Sequence, residues 1–164
     1  MIDVAHSSET LEGRMWAALE ACGVGLLGLT KSGLHPQATA VFVDRRRRRL
    51  WFVTPADSDL VRSVGDGGAA MFTAQGEGLL ASISGNLTQE FDSRRLARVW
   101  TAAASAWRPQ GSGAPALALL RMDCVDAEVS LPDLGMARFT WELARPRFRG
   151  KSPRAAGALQ PTLH

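Results

Sequence analysis

The sequence predicts a mainly β fold of α+β composition: a small closed or partly closed antiparallel barrel with flanking helices. Two observations predict it. Short apolar runs arrive as consecutive hairpins: 24–30 with 37–43 around Lys31-Ser32-Gly33, 37–43 with 50–54 around the run Arg45 to Arg49, and 69–74 with 79–88 around Gln75-Gly76-Glu77-Gly78. Neither GxGxxG nor a P-loop signature accompanies these strands, which disfavours a doubly wound parallel sheet and its nucleotide sites.

Taken in order, Ser8 is suited to cap a helix that places Leu11, Met15, Leu19 and Cys22 on one face, with Gly23 ending it. The first two strands follow, the second with small Ala38, Ala40 and Phe42 on one face and Thr39, Val41 and Val43 on the other. After the arginine run, expected to be a solvated turn, the stretch Leu50 to Leu60 (LWFVTPADSDL) is a short apolar strand that breaks at Pro55 and enters a short helix at Asp57-Ser58. Leu60, Val61 and Val64 give that helix an apolar side before Gly65-Asp66-Gly67-Gly68. The second hairpin pair leads to a helix capped by Asp92 or Ser93, with Leu96, Val99, Trp100, Ala103 and Trp107 spaced for one face and Arg94, Arg95 and Arg98 elsewhere. Breakers at 108–115 precede a long strand over 116–129. Phe139, Trp141 and Leu143 alternate as a last strand. Residues 1–144 are expected to form one domain and 145–164 a disordered basic tail.

Bulk properties narrow the function. A chain of 164 residues, 46% hydrophobic and 21% charged, has the composition of a soluble globular domain able to bury about 70% of its unfolded surface. It has no apolar run near the ~18 residues of a membrane span and no signal-peptide pattern at its start, so a cytoplasmic location is expected. Cys22 and Cys124 lie far apart in apolar surroundings without CxxC spacing, the pattern of buried reduced thiols. No metal-ligand spacing, Ser-His-Asp order or HExxH occurs, which leaves hydrolase and metal readings without support. The net charge of +3 is concentrated in the arginine run and the tail, yet no aromatic interleaves with the run, so a nucleic-acid partner is not expected.

The strand-to-helix turn at Thr54 to Ser58 is the candidate binding element. Free backbone N–H groups and the positive pole of a helix converge at such turns and favour anions, phosphate among them, although an ordinary connection has the same pattern.

The order of these pieces resembles the FMN-binding split barrel family. The likeness lies in LWFVTPADS, a strand pair closing on ISGNL, a helix ending in AWRPQG, and LALLRMDCVDAEV. It covers about residues 10 to 130 and is nearest to the general stress protein branch, related to pyridoxamine 5′-phosphate oxidase. The resemblance implies a six-stranded split β-barrel, a homodimer, and FMN in a groove between the two barrels. It also implies flavin and phosphate contacts from Phe52, Val53, Thr54 and Ser58, with Trp107, Pro109 and Gly111 near the groove across the interface. The chain departs from the family at three places. Leu60 stands where a lysine often follows the serine, Ala38-Thr39-Ala40 replaces an Arg-Pro-Met segment, and Arg108 replaces the aromatic after the tryptophan. Arg62, or Arg108 of the partner subunit, is the candidate to restore a positive charge at the phosphate.

Among other groups, His35 before Pro36 is read as an exposed turn residue with a possible flavin-edge role, and Gln75 as a candidate donor or acceptor for the flavin ring. Trp107 is a candidate stacking residue, and Trp51 and Trp100 are assigned to packing. The expectation is a flavin-dependent oxidoreductase-like protein of undetermined substrate. The alternatives are a split-barrel binding protein that has lost FMN and a weakly nucleic-acid-associated protein.

Overall fold

The computed structural model describes residues 4–103, 116–132 and 135–141. Its elements are α1 (Val4–Cys22), β1 (Val24–Leu29), β2 (Gln37–Asp44), β3 (Arg49–Pro55), α2 (Asp59–Val64), β4 (Gly68–Gly76), β5 (Leu79–Glu90), α3 (Ser93–Ala103), β6 (Leu117–Leu131) and β7 (Gly135–Thr140). The sheet runs β3-β2-β1-β4-β5-β6-β7, and a further β3–β6 pairing closes six strands into an antiparallel barrel with β7 as an added strand. The expected barrel is therefore present, and every pairing is antiparallel.

Alternation decides which side chains fill it. In β3, Leu50, Phe52 and Thr54 are buried while Arg49, Trp51, Val53 and Pro55 face outward. Phe52 meets Phe72 of β4 with ring centroids 5.2 Å apart, and Leu27, Ile83, Leu87, Leu120 and Met122 complete the same core. Helices supply the rest from opposite ends. α1 contributes Met15, Trp16, Ala18 and Leu19 near the Gly76 end of β4, and α2, which leads into the Gly68 end, contributes Leu60 and Val64.

β6 changes face part-way. Its even residues Ala118 to Cys124 point inward, then the odd residues Ala127, Val129 and Leu131 do. The pairing shift between Ser84↔Asp126 and Gly85↔Cys124 inserts one extra residue, Val125, and so restores an apolar interior. Gly85 permits this close passage, since a Cβ there would collide with Met122 and the Asp123 carbonyl.

Three boundaries differ from the sequence reading. α1 begins by Val4, so Ser8 lies within the helix. The β4–β5 turn is only Glu77-Gly78, both left-handed (φ 51° and 74°), because Gln75 and Gly76 continue the ladder opposite Leu80 and Leu79. The last strand ends at Thr140. Trp141 stacks on Trp16 at 5.5 Å, and both indole N–H groups donate to Glu12 Oε1, at 2.9 and 3.2 Å. The expected tail, 145–164, lies outside the described residues.

Candidate functional site

β2 and β3 form a ladder only from Asp44↔Arg49 to Val41↔Phe52. Beyond it, β2 pairs with β1 through Gln37 to Ala40, while Val53 to Pro55 pair with Leu119 to Leu117 of β6. A split therefore opens between Ala38–Ala40 on one side and Val53–Pro55 on the other. Thr39 and Thr54, the two buried polar residues among those described, flank it. Thr39 Oγ1 donates to the Gln37 carbonyl at 3.1 Å, and Thr54 Oγ1 lies 3.5 Å from Ser58 Oγ.

Beside the split the outer surface of the sheet is bare and apolar. Val24 and Leu26 of β1 are each 49% exposed and Met71 of β4 is 46% exposed. The register sets Leu26 opposite Ala38, Val24 opposite Ala40 and Met71 opposite Gly28, making one continuous patch, with Leu80 exposed on β5. Contiguous exposed apolar surface of this kind marks contact with a partner or ligand.

The turn itself is less generous to an anion than its pattern suggests. Ser58 caps α2, its Oγ accepting from the Val61 N–H at 3.3 Å, and the helix is only six residues long. Leu60 is 2% exposed and belongs to the core, so its Cβ does not point to the position a phosphate-binding lysine would need. Arg62 folds back onto the turn: it donates to the Asp57 carbonyl at 2.6 Å and pairs with Asp59. Asp59 offsets its charge, and Asp57 adds a second exposed carboxylate, so the turn carries no net positive charge.

The remaining sequence candidates are dispersed. Phe52 is wholly buried inside the barrel, where it touches core and not a surface ligand, whereas Val53 faces outward beside the split. Gln75 is exposed on the same face of β4 as Met71, opposite Leu80 of β5, and its carbonyl lies 3.4 Å from Cys22 Sγ. His35 is exposed, consistent with a turn residue. Trp107, Arg108, Pro109 and Gly111 lie outside the described residues. Cys124 is buried, and burial together with the nearby Asp123 charge pushes its thiol up to about 12, an inert state. No group of three or more metal-ligating side chains occurs among the described residues, nor any helix long and apolar enough to cross a membrane.

A second cluster was not foreseen. Asp44, Arg47, Arg49, Trp51, Arg95, Arg98 and Val99 line a cavity of about 280 Å³ between the β2–β3 hairpin and α3. Trp51 is thus not core packing but a half-buried wall of this cavity, with the Arg95 guanidinium 5.8 Å from its ring centroid. The signal was present in spacing: Arg49 and Trp51 share one strand face, and Arg95 and Arg98 are three apart on a helix.

A family model described as pyridoxamine 5′-phosphate oxidase like matches residues 11–154. The chain belongs to that family. Among solved structures it is similar to a general stress family protein of Xanthomonas campestris pv. campestris, with 26% identity, 92% of this chain and 100% of that one covered, and a TM-score of 0.66. A general stress FMN/FAD binding protein of Xanthomonas citri matches with 26% identity over 87% of this chain and 99% of that one, TM-score 0.64. A protein of Jannaschia sp. CCS1 named for general stress protein 26 matches with 28% identity over 75% and 79%, TM-score 0.62. None of the curated proteins matches the chain.

Proposed function

We propose that this member of the pyridoxamine 5′-phosphate oxidase-like family is a cytosolic homodimer that binds FMN at the β2–β3 split, between its two barrels. The observation that carries the reading is the bare apolar face at Val24, Leu26, Ala38 and Met71 running up to that split. A ring system and a second barrel would both lose water contact there, and burial of apolar area is worth roughly 25 cal/mol per Å². The similarity to a solved protein named as FMN/FAD binding supports the same reading.

The chain fits the two ends of FMN unequally. Val53, Ala38 and Ala40 offer an apolar bed for the ring, and Thr39, Thr54 and Ser58 offer hydroxyls. At the phosphate, the one arginine of the turn is already paired, so Arg108 of the partner subunit is proposed as the cation. A bound flavin would supply hydride or electron transfer. The protein's part is to orient it and exclude water, with a substrate that these residues do not specify.

Flavin absorbance of the purified protein, FMN and riboflavin titrations, and light scattering test this together. A yellow dimer is expected. Arg108→Ala should lower FMN affinity by about ten- to hundredfold and leave riboflavin affinity unchanged, since one charge-assisted contact is worth roughly 1.5–3 kcal/mol. Leu26→Glu should split the dimer and lower flavin affinity. A colourless protein indifferent to both flavins would instead support the second reading, a binding protein that has lost the cofactor. That reading is favoured by core burial of Leu60 and by carboxylates at the phosphate turn.

A further inference from the structure

The run Arg45 to Arg49 is not one basic patch. Arg45 turns to Glu20 of α1 at 2.8 Å, and Arg48 lies 3.7 Å from Glu12 with its guanidinium over Trp141. Arg47 and Arg49 turn the other way, into the cavity shared with α3. That cavity presents four guanidinium groups and an indole against one carboxylate, Asp44. It lies at the hairpin end of β3, and roughly 13 Å of strand separates Trp51 from Pro55 at the split.

Carboxylates just off the cavity hold these arginines without exhausting them. Arg49 gives Nε to Asp123 at 2.7 Å, and Arg95 gives Nη1 to Glu90 at 3.4 Å and lies 3.7 Å from Asp92 through Nε. Asp123 is also held by Arg121 at 3.2 Å, and Arg121 reaches Glu90 at 3.4 Å, which links the hairpin to α3 through β6. A guanidinium carries five N–H donors in a planar fork, so the unused terminal edges stay available for a polyanion. Arg47 is paired with Asp44 inside the cavity, and that carboxylate would yield its partner to a more highly charged ligand.

We propose that this cavity is a second ligand site that takes a nucleotide by its phosphates, with base or sugar against Trp51. Several converging guanidiniums call for more than one negative charge, and the indole calls for an apolar or π-bearing group beside it. A volume of about 280 Å³ takes the phosphorylated end of a small ligand, with its ring beside Trp51, and is too small for a protein segment. Its concavity also distinguishes it from an open track for a nucleic-acid strand. The site does not depend on the flavin reading.

Isothermal titration of the full chain with ADP, adenosine, pyrophosphate and a twelve-residue oligothymidylate tests it. ADP should bind more tightly than either adenosine or pyrophosphate, and Arg98→Gln and Trp51→Leu should each weaken ADP about tenfold. Arg138→Gln, an exposed arginine of β7 outside the cavity, should leave ADP affinity unchanged. Equal binding of pyrophosphate and ADP would remove the role of Trp51, and unchanged ADP affinity in Arg98→Gln would remove the site. Tighter binding of the oligothymidylate than of ADP would overturn it in favour of a nucleic-acid surface. Arg98 is an exposed helix residue, so its variant tests the site even if Trp51→Leu does not fold.

Discussion

The two ends of β3 carry opposite chemistry on one strand. At its carboxyl end, hydroxyls of Thr54 and Ser58 meet a turn where one arginine faces two carboxylates, Asp57 and Asp59. At its amino end, Arg47, Arg49, Arg95 and Arg98 line one cavity with Trp51, the first three held by carboxylates that leave donor edges open. The comparison teaches that a motif fixes backbone shape and not charge. LWFVTPADS makes a strand-to-helix turn, Leu60 two positions past Ser58 lies in the core, and arginines cluster at the other end of the strand.

The largest test of that contrast is Leu60→Lys. If residue 60 faced a phosphate, the lysine would be tolerated and would tighten an anion. Its 2% exposure inside the core predicts otherwise: an unpaired ammonium there costs several kcal/mol, about 3–5 by comparison with other broken buried charges. Denaturant unfolding should show the loss in full. A variant that keeps wild-type stability and gains FMN affinity would mean that α2 is rotated from the position described here.

Next comes the alkaline behaviour of β6 beside the hairpin end. Cys124 ionises near 12 in the fold against 9.0 for the free group, with burial first and Asp123 second as causes. The unfolded chain therefore releases this proton first. Stability should be unaffected below pH 9, should fall by at most about 1.4 kcal/mol per pH unit as pH rises from 9 towards 12, and should level beyond. The chain has no tyrosine, so phenol ionisation does not crowd this window. Cys124→Ala should flatten the slope in urea titrations between pH 8.5 and 10.5, and a slope that persists would assign it elsewhere.

Much of this was legible in the sequence, for reasons that also explain the misses. Hairpins and the barrel were readable because β3 alternates throughout, β2 and β5 alternate over part of their length, and glycines mark the turns. The face change in β6 was not, because a bulge at Val125 breaks period two without leaving a gap in an apolar run. Ser58 was readable as a cap. Leu60 and Val64 were readable as the apolar side of α2, and both are buried. The arginine pocket escaped because its walls come from a hairpin and a helix about 50 residues apart, and only tertiary packing brings Trp51 to Arg95.

Smaller effects separate the two ends more finely. Asp123→Asn removes the carboxylate shared by Arg49 and Arg121, but those side chains are about one-quarter to one-third exposed, so solvent screening keeps the stability loss to about 1 kcal/mol. Its sharper readout is ADP affinity. Arg49 freed from Asp123 gains positive potential but loses its fixed position, so a fall in affinity would show that preorganisation outweighs charge, and a rise would show the reverse.

At the other end, Ser58→Ala removes both the cap of α2 and the hydroxyl 3.5 Å from Thr54. The cap alone is worth about 1 kcal/mol in stability. If Ser58 also donates to a flavin phosphate, FMN affinity should fall by about tenfold or more while riboflavin affinity stays constant, since a hydrogen bond to a charged group contributes roughly 1.5–3 kcal/mol. Equal losses for both flavins would trace the effect to a loosened α2 and not to a phosphate contact. Because Thr54 survives in the variant, Thr54→Val beside it completes a double-mutant cycle. Coupling between the two hydroxyls in FMN binding, absent in riboflavin binding, would place the phosphate at this end of the strand.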